Sequence, residues 1–447
     1  MTDVLDQSSL QTAAERLVEA AKRAGADRAD AVAIRGVSSS IGVRLGMVED
    51  AERSEGDDFG LRVFVGRRHA SVSANALGNP DELAERAVAM ARVAPDDAYA
   101  DLIEPDLLSH AFADLDLVDP STPDAAELTA RALAAEDAAR AVAGVTNSGG
   151  ASASWSLGGM VLVTSHGFSG RWLRTGHSIS VTALAGTGTG MERDWDASSK
   201  IWASELDPAE EIGRRAGERA VARLAPRKVD TGTATILWEP RAATGLVGHL
   251  LSAINGASIA RKTSFLKDRL GKAVFAPGIT IVDDPYRRRG LASRPFDGEG
   301  VSGPVLNLIE DGVLQHWLLD GATGRELGFR SNGRASRGAG SPSPGSTNVT
   351  LQPGATRRAD MVASISRGLL VTDMIGSGVN GITGDYSRGA SGFWIENGEI
   401  THPVSEITVA GSLKDMFARL VPADDLERRF SIAAPSIMIE GLTIAGR

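Results

Sequence analysis

The chain has 447 residues, 42% hydrophobic and 23% charged, a net charge of −10 and no cysteine. Apolar segments recur along its whole length, which excludes a disordered protein and leaves room for two or three cores. The acidic balance argues against general nucleic-acid binding, and the missing cysteines exclude disulfides, thiolate nucleophiles and cysteine-ligated metal sites.

The opening "MTDVLDQSSLQ" (1–11) has no basic stretch followed by an apolar core, so no signal peptide is expected. No run approaches the roughly 18 apolar residues a membrane helix needs. The expectation is a soluble, cytoplasmic protein that binds neither membrane nor nucleic acid. "SSLQTAAERLVEAAKRAGA" reads as an amphipathic helix: Leu10, Ala13, Leu17, Ala21 and Ala24 keep helical spacing. Ser8 and Gln11 fit a capping box, and Gly25 a C-terminal stop. Strands follow at "ADAVAIRG" and "SSIGVRLG", and "FGLRVFVGRRHASVSAN" reads as a hairpin turning near Gly66–Arg67. Asn79 as N-cap with Pro80 behind it starts a helix. These elements predict an N-terminal α+β domain over 1–120.

A middle α+β domain over 121–228 begins with a helix after Ser121. Three alternating strands follow, in "ASASWSLGGMVLVTSHG", "GRWLRTGHSISVTALAG" and "DWDASSKIWASEL". The helix "DPAEEIGRRAGERAVARLA" closes it, with a boundary near Ala225–Pro226. Residues 229–447 read as a β-rich C-terminal domain with a few helices. Much of the total of 51 glycines lies there, implying many tight turns. "SNGRASRGAGSPSPGSTN" (331–348) lacks any apolar period and reads as a long loop, a binding segment or a disordered one.

The stretch "TGLVGHLLSAING" (244–256) reads as a helix with one histidine. On a wheel, Leu246, Val247, Leu250, Leu251 and Ile254 form an apolar arc; Gly245, Gly248, His249, Ser252 and Asn255 share the other face. A zinc-hydrolase helix would carry a second histidine on that face and a glutamate beside the first. Here Leu250 follows His249, so the histidine reads more readily as a structural or lining residue. His69, His110, His166, His177, His316 and His402 are scattered. Asp283–Asp284 before Pro285 reads as turn capping rather than a ligand pair, as do Asp385 and Glu396. Arg287, Arg288, Arg289 and Arg294 form one basic knot and Arg330, Arg334 and Arg337 a second. Either is a solvated face or a grip on carboxylates of a peptide or partner.

Five segments occur in order: "TSFLKDRLGKAV" (263–274), "ITIVDDP" (279–285), "GDYSRGASGFWIENGE" (384–399), "PVSEITVAGSLKDMF" (403–417) and "PSIMIEGLTIAG" (435–446). Together they resemble the PmbA/TldE branch of the TldD/PmbA metallopeptidase family. In that family the TldD subunit carries zinc on this helix through histidine–glutamate, three residues, then histidine, with a cysteine near the C-terminus. His249 matches the first histidine; Leu250 and Ile254 stand where the glutamate and second histidine would be. The resemblance therefore implies no cofactor in this chain and zinc in a TldD-like catalytic partner. It also implies a role in cleaving extended or modified peptides. A homodimer is the arrangement left open to isolated chains. His249, Ser252, Arg334 and Arg337 are the expected lining residues for substrate or partner, with no catalytic or metal residue in this chain. Two other readings stand beside it: an independent metallohydrolase built from His249, His402 and carboxylates, or a peptide-binding, chaperone-like protein.

Overall fold

The computed structural model describes residues 5–446. The first four residues of the segment read for a signal lie outside the described residues. Helix α1 (Ser8–Arg23) buries Leu10, Ala14, Leu17, Val18, Ala20 and Ala21, and it stops at Gly25, whose φ of +97° suits a residue without Cβ. The expected capping box does not form. Gln7 is the N-cap and its side chain makes no capping bond, while the Ser8 N–H donates to Asp6. Ser8 thus sits inside the first turn, where its hydroxyl cannot cap.

Three strands follow, β1 (Arg28–Arg44), β2 (Met47–Val65) and β3 (Arg68–Ala74). Val65 pairs with Arg68, so the chain reverses through Gly66–Arg67 as the pattern predicts, with Gly66 at φ +61°. Helix α2 (Pro80–Val93) is capped by Asn79, whose side chain accepts from the Asp81 N–H at 3.1 Å. Helix α3 (Ala125–Arg140) follows Ser121 as expected, with Asp124 capping it by accepting from the Glu127 N–H at 2.8 Å. Strands β4 (Val145–Thr164), β5 (Ser169–Ala185) and β6 (Glu192–Lys200) and helix α4 (Ala209–Ala222) complete this half.

All six strands form one antiparallel sheet in the order β3-β2-β1-β4-β5-β6. Residues on either side of position 120 supply three strands each, and β1 pairs with β4 along its length, Val32 opposite Leu162. The alternating side chains of this sheet bury one face under helices. One cluster joins α1 and α2 to β1–β3, and a second joins α3 and α4 to the β4–β6 half. Two glycines let α4 lie close on α3: a Cβ at Gly213 would stand 2.1 Å from the Ala135 carbonyl oxygen.

The C-terminal half is built on β7 (Gly232–Trp238), α5 (Pro240–Ala253) and α6 (Gly256–Ala260). Then come β8 (Ile281–Asp284), β9 (Leu306–Glu310), β10 (Val313–Leu314), α7 (Gly321–Leu327), β11 (Ala335–Ser336), β12 (Ser343–Pro344) and β13 (Asn348–Leu351). The chain ends with α8 (Arg358–Ser364), β14 (Arg367–Ile375), β15 (Asp385–Glu396), β16 (Glu399–Ser412), α9 (Leu413–Arg419), β17 (Val421–Pro422), β18 (Ile432–Ala433) and β19 (Ile437–Ala445). A mixed six-stranded sheet, β16-β15-β14-β7-β19-β17, and a five-stranded one, β10-β9-β8-β13-β18, enclose the largest core. Trp238, Leu250, Ile254, Leu369 and Val409 are fully buried in it. The class is α+β, with a β-rich C-terminal half carrying a few helices.

The 331–348 segment is not a free loop. Its ends pair as β11 and β12, and Arg334 within it is fully buried, its Nε 2.8 Å from Asp283, which is fully buried too. Its tip lies on the N-terminal sheet. Arg337 reaches Asp30 at 2.6 Å, Ser341 Oγ meets Ser71 Oγ at 2.8 Å, and the Ala339 carbonyl lies over Gly60. Asp30 also holds Arg62 at 2.5 Å, and Arg62 lies 4.0 Å from Glu299. Burial pushes the Glu299 carboxyl up to about 7 against the pull of Arg62.

A Cβ added at Gly60 would meet the Ala339 oxygen at 1.9 Å. Gly60→Ala should therefore lift the tip, lower stability by ~1–3 kcal/mol and open a trypsin cut after Arg337 that the wild type resists. Equal resistance in both proteins would show that this contact does not hold the segment. Asp283→Ala, which strands a buried guanidinium, should cost about 3–5 kcal/mol in chemical denaturation. A loss below about 1 kcal/mol would refute a structural role for the pair.

Candidate functional site

Strand β7 runs into α5 through Glu239, with Pro240 in the first turn, so the sheet fixes where the helix points. Ala243, Leu246, Val247, Leu250, Leu251 and Ala253 face the core. The opposite side carries the small residues: Gly248 has no atom within 4 Å of where a Cβ would stand, and Ser252 is exposed. The Ser252 hydroxyl donates to the Gly248 carbonyl at 3.0 Å. Helix α5 ends at Ala253, and Asn255, expected on its open face, instead caps α6 by accepting from the Ala257 N–H at 3.0 Å.

His249 is half-buried on this open side. Its ring stands edge-on to Tyr386 of β15, centroids 5.8 Å apart, and its Nε2 is buried without a hydrogen-bond partner. Burial first, then the nearby Arg388 guanidinium, hold the imidazole below its ordinary value of 6.5. Burial pushes the Tyr386 phenol up to about 12. At neutral pH the pair is therefore an uncharged imidazole beside an uncharged phenol.

Leu250, and Ile254 just past the end of the helix, are fully buried in the core. The charged neighbour that acts on His249 is a cation. Among the described residues, no three of His, Asp and Glu cluster so as to hold a metal ion. His402 lies on β16 with its Nδ1 3.0 Å from Thr401 Oγ1, and His316 lies between β10 and α7.

Arg334 and Arg337 do grip carboxylates, but those carboxylates belong to this chain. Arg334 also donates to the carbonyls of Asp283, Pro304, Asn332 and Gly333, which fixes it as part of the core rather than a lining group. The Arg337 side chain is likewise buried. Asp284 caps its turn as predicted, accepting from the Tyr286 N–H at 2.8 Å. Glu239 was not singled out by the sequence. Burial pushes its carboxyl up beside Arg241, at 3.1 Å, above a cavity of about 350 Å³ that Leu370, Phe393 and Ile400 also line. Its only sequence signal is an acidic residue before a helix-starting proline, which reads as a cap. Tyr386 and Arg388 were missed because they reach His249 from a strand more than a hundred residues away in the chain.

A helix-flanked six-stranded sheet followed by a β-rich unit around α5 is the fold of TldE from Thermococcus kodakarensis. That crystal structure aligns with a TM-score of 0.86 at 21% identity, covering 97% of this chain and all of the other. Three family models match in succession: PmbA/TldA metallopeptidase domain 1 over residues 29–91, the central domain over 118–224 and the C-terminal domain over 231–446. The chain is 38% identical over 428 residues to Metalloprotease PmbA of Escherichia coli O157:H7, covering 94% of this chain and 93% of that one. It is 35% identical over 446 residues to the PmbA homolog of Haemophilus influenzae, covering 98% and 97%. A Metalloprotease TldD homolog of the same species matches more weakly, 28% over 218 residues and 45% of each chain. The chain belongs to the PmbA/TldD metallopeptidase family.

The state of His249 has a measurable consequence. Its folded-state pKa is depressed, so the unfolded chain takes up the proton first as pH falls below about 6.5. The histidine's contribution to stability is present above that value and is lost as pH falls toward the folded-state pKa. NMR titration should place the His249 ring below 6.5, and Arg388→Gln should move it upward. A ring titrating at or above 6.5 would refute the burial assigned to it.

Proposed function

We propose that this chain is the PmbA/TldE-type subunit of a two-chain zinc peptidase acting on extended or modified peptides in the cytoplasm, and that it holds no zinc itself. One observation carries the reading. On α5, His249 points to the open side while Leu250 and Ile254, at the positions where the family resemblance puts a glutamate and a second histidine, are core residues. Catalytic zinc needs three protein ligands and an open position for water, and an unprotonated general base must stand beside that water. This helix offers one imidazole and a neighbouring guanidinium. The zinc and the hydrolytic step would then belong to a TldD-like partner. The existence of both a PmbA homolog and a TldD homolog in Haemophilus influenzae supports such a pair.

In this reading the small-residue side of α5, with Gly248, His249 and Ser252, is a surface against which a peptide backbone can lie closely. The imidazole and phenol beside it are neutral, and Arg388, whose Nη1 lies 3.7 Å from where a Cβ at Gly245 would stand, puts a positive charge on this side.

The test compares this chain alone, a TldD-like chain alone and the mixture on an unfolded peptide substrate. The mixture should cleave, a chelator should abolish cleavage, and His249→Ala in this chain should retain at least about half of the rate, because the residue supplies no proton or ligand. Metal analysis of the dialysed chain should find far less than one zinc per molecule. Chelator-sensitive cleavage by this chain alone, lost in His249→Ala, would establish the independent metallohydrolase instead. Binding of peptide with no cleavage in any mixture would favour the chaperone-like reading.

A further inference from the structure

A second concave site lies far from α5 in the sequence, between the two halves of the molecule. It has a volume of about 480 Å³ and draws Ser199 and Lys200 from the end of β6, Arg287, Arg288, Arg289 and Leu291 from the turn after β8, and Arg428 from the segment before β18. Five of its lining residues are cations and one, Glu205, is an acid. The acids present are already engaged. Arg289 pairs with Glu205 at 2.7 Å, and Asp116 accepts from Arg288 at 2.8 Å and from Arg289 at 2.6 Å.

Lys200, Arg287 and Arg428 have no carboxylate within ion-pair distance among the described residues. Arg287 feels Asp284, but that carboxylate caps the Tyr286 N–H. One guanidinium nitrogen of Arg287, Nη1, is buried without a hydrogen-bond partner. Burial and the adjacent Arg428 both work against its charge. A buried N–H with no acceptor costs free energy, and like charges in one cleft repel. In a protein of net charge −10, three unpaired cations around one cleft are a local reversal of sign.

The turn is held rigidly. Arg289 has φ +53°, its N–H donates to the Leu115 carbonyl at 2.9 Å, and its guanidinium lies 4.0 Å over the Trp202 ring. Arg287 and Arg288 are thereby presented on a fixed backbone. Apart from Leu291, every lining side chain is polar or charged, so the site offers nothing to an apolar ligand. Guanidinium forks match the paired oxygens of phosphate in geometry and charge.

We propose that this cleft binds a compact multivalent oxyanion of the phosphate type, free or carried on a larger molecule, through Lys200, Arg287 and Arg428. Such an anion would link β6 of the first sheet to two loops of the C-terminal half. The assignment is independent of any peptidase role.

Thermal unfolding of the whole chain with inorganic pyrophosphate, ADP, citrate and sodium chloride at matched ionic strength tests it. Pyrophosphate should raise Tm by about 2–4 °C at saturation, and chloride should not. A larger shift with ADP than with pyrophosphate would identify the phosphate as one borne on a nucleoside. Arg428 is exposed, so Arg428→Ala should fold with an ion-free Tm equal to or above wild type and should lose most of the pyrophosphate shift. Arg287→Ala should lose it as well, while Arg357→Ala, whose partner Asp360 lies outside the cleft, should keep it. No shift, an equal shift with citrate or chloride, or an undiminished shift in Arg428→Ala would overturn the proposal.

Discussion

Asp30 joins the two halves of the molecule. It sits on β1, is buried, and is clasped by Arg62 from the neighbouring strand and by Arg337 from the C-terminal half. Two guanidiniums on one carboxylate would leave a net positive charge in a place that water does not reach. Glu299, 4.0 Å from Arg62 and bound by the Gly321 N–H at 2.7 Å, supplies the second negative charge. Its carboxyl is pushed up to about 7, so this balance is made near neutrality by a group close to its own midpoint. Buried ion pairs add little net stability but are costly to break singly. Here that asymmetry fixes register: the 331–348 segment fits on the sheet in the one place where Arg337 finds Asp30.

The same logic runs through the C-terminal half. Arg334 and Asp283 neutralise each other inside the five-stranded unit, and the Thr347 N–H adds a bond to the same carboxylate at 3.0 Å. Strand β8 is thereby held to the segment leading into β13. The core so organised positions β7, and β7 positions α5. The orientation of His249 is in this sense the end of a chain of packing decisions made elsewhere.

Much of this was legible in the amino-acid sequence. Alternation marked the long strands, the Gly66–Arg67 turn and the Asn79–Pro80 start were readable from local chemistry, and the apolar arc of α5 matched its buried face. Local chemistry failed at the first helix: Ser8 looked like a cap, but Gln7 is the N-cap and Ser8 the first helical residue. Composition failed in the 331–348 segment, since glycine, serine and proline there serve a close approach to Gly60 rather than mobility. The arginines were misread for a general reason. A guanidinium gripping a distant carboxylate of its own chain has the same sequence signature as one waiting for a ligand. Only tertiary pairing separated Arg334 and Arg337, each bound to a carboxylate of this chain, from Arg287 in the other knot. The surroundings of His249 were invisible for the same reason, because Tyr386 and Arg388 arrive from β15.

The pairing of β1 with β4 also bears on how the chain is made. During synthesis β1, β2 and β3 emerge together and can form their hairpins at once, yet β1 must wait for a strand in which Leu162 will lie opposite Val32. Until then a long strand edge with Val32, Ala33 and Ile41 stands open, able to recruit any other extended segment nearby. Severing the chain in the linker near 120 would leave both fragments with such an edge permanently. The edge of β1 is covered only once the residues of β4 have been made, so the first sheet cannot close on the strands of its N-terminal third alone.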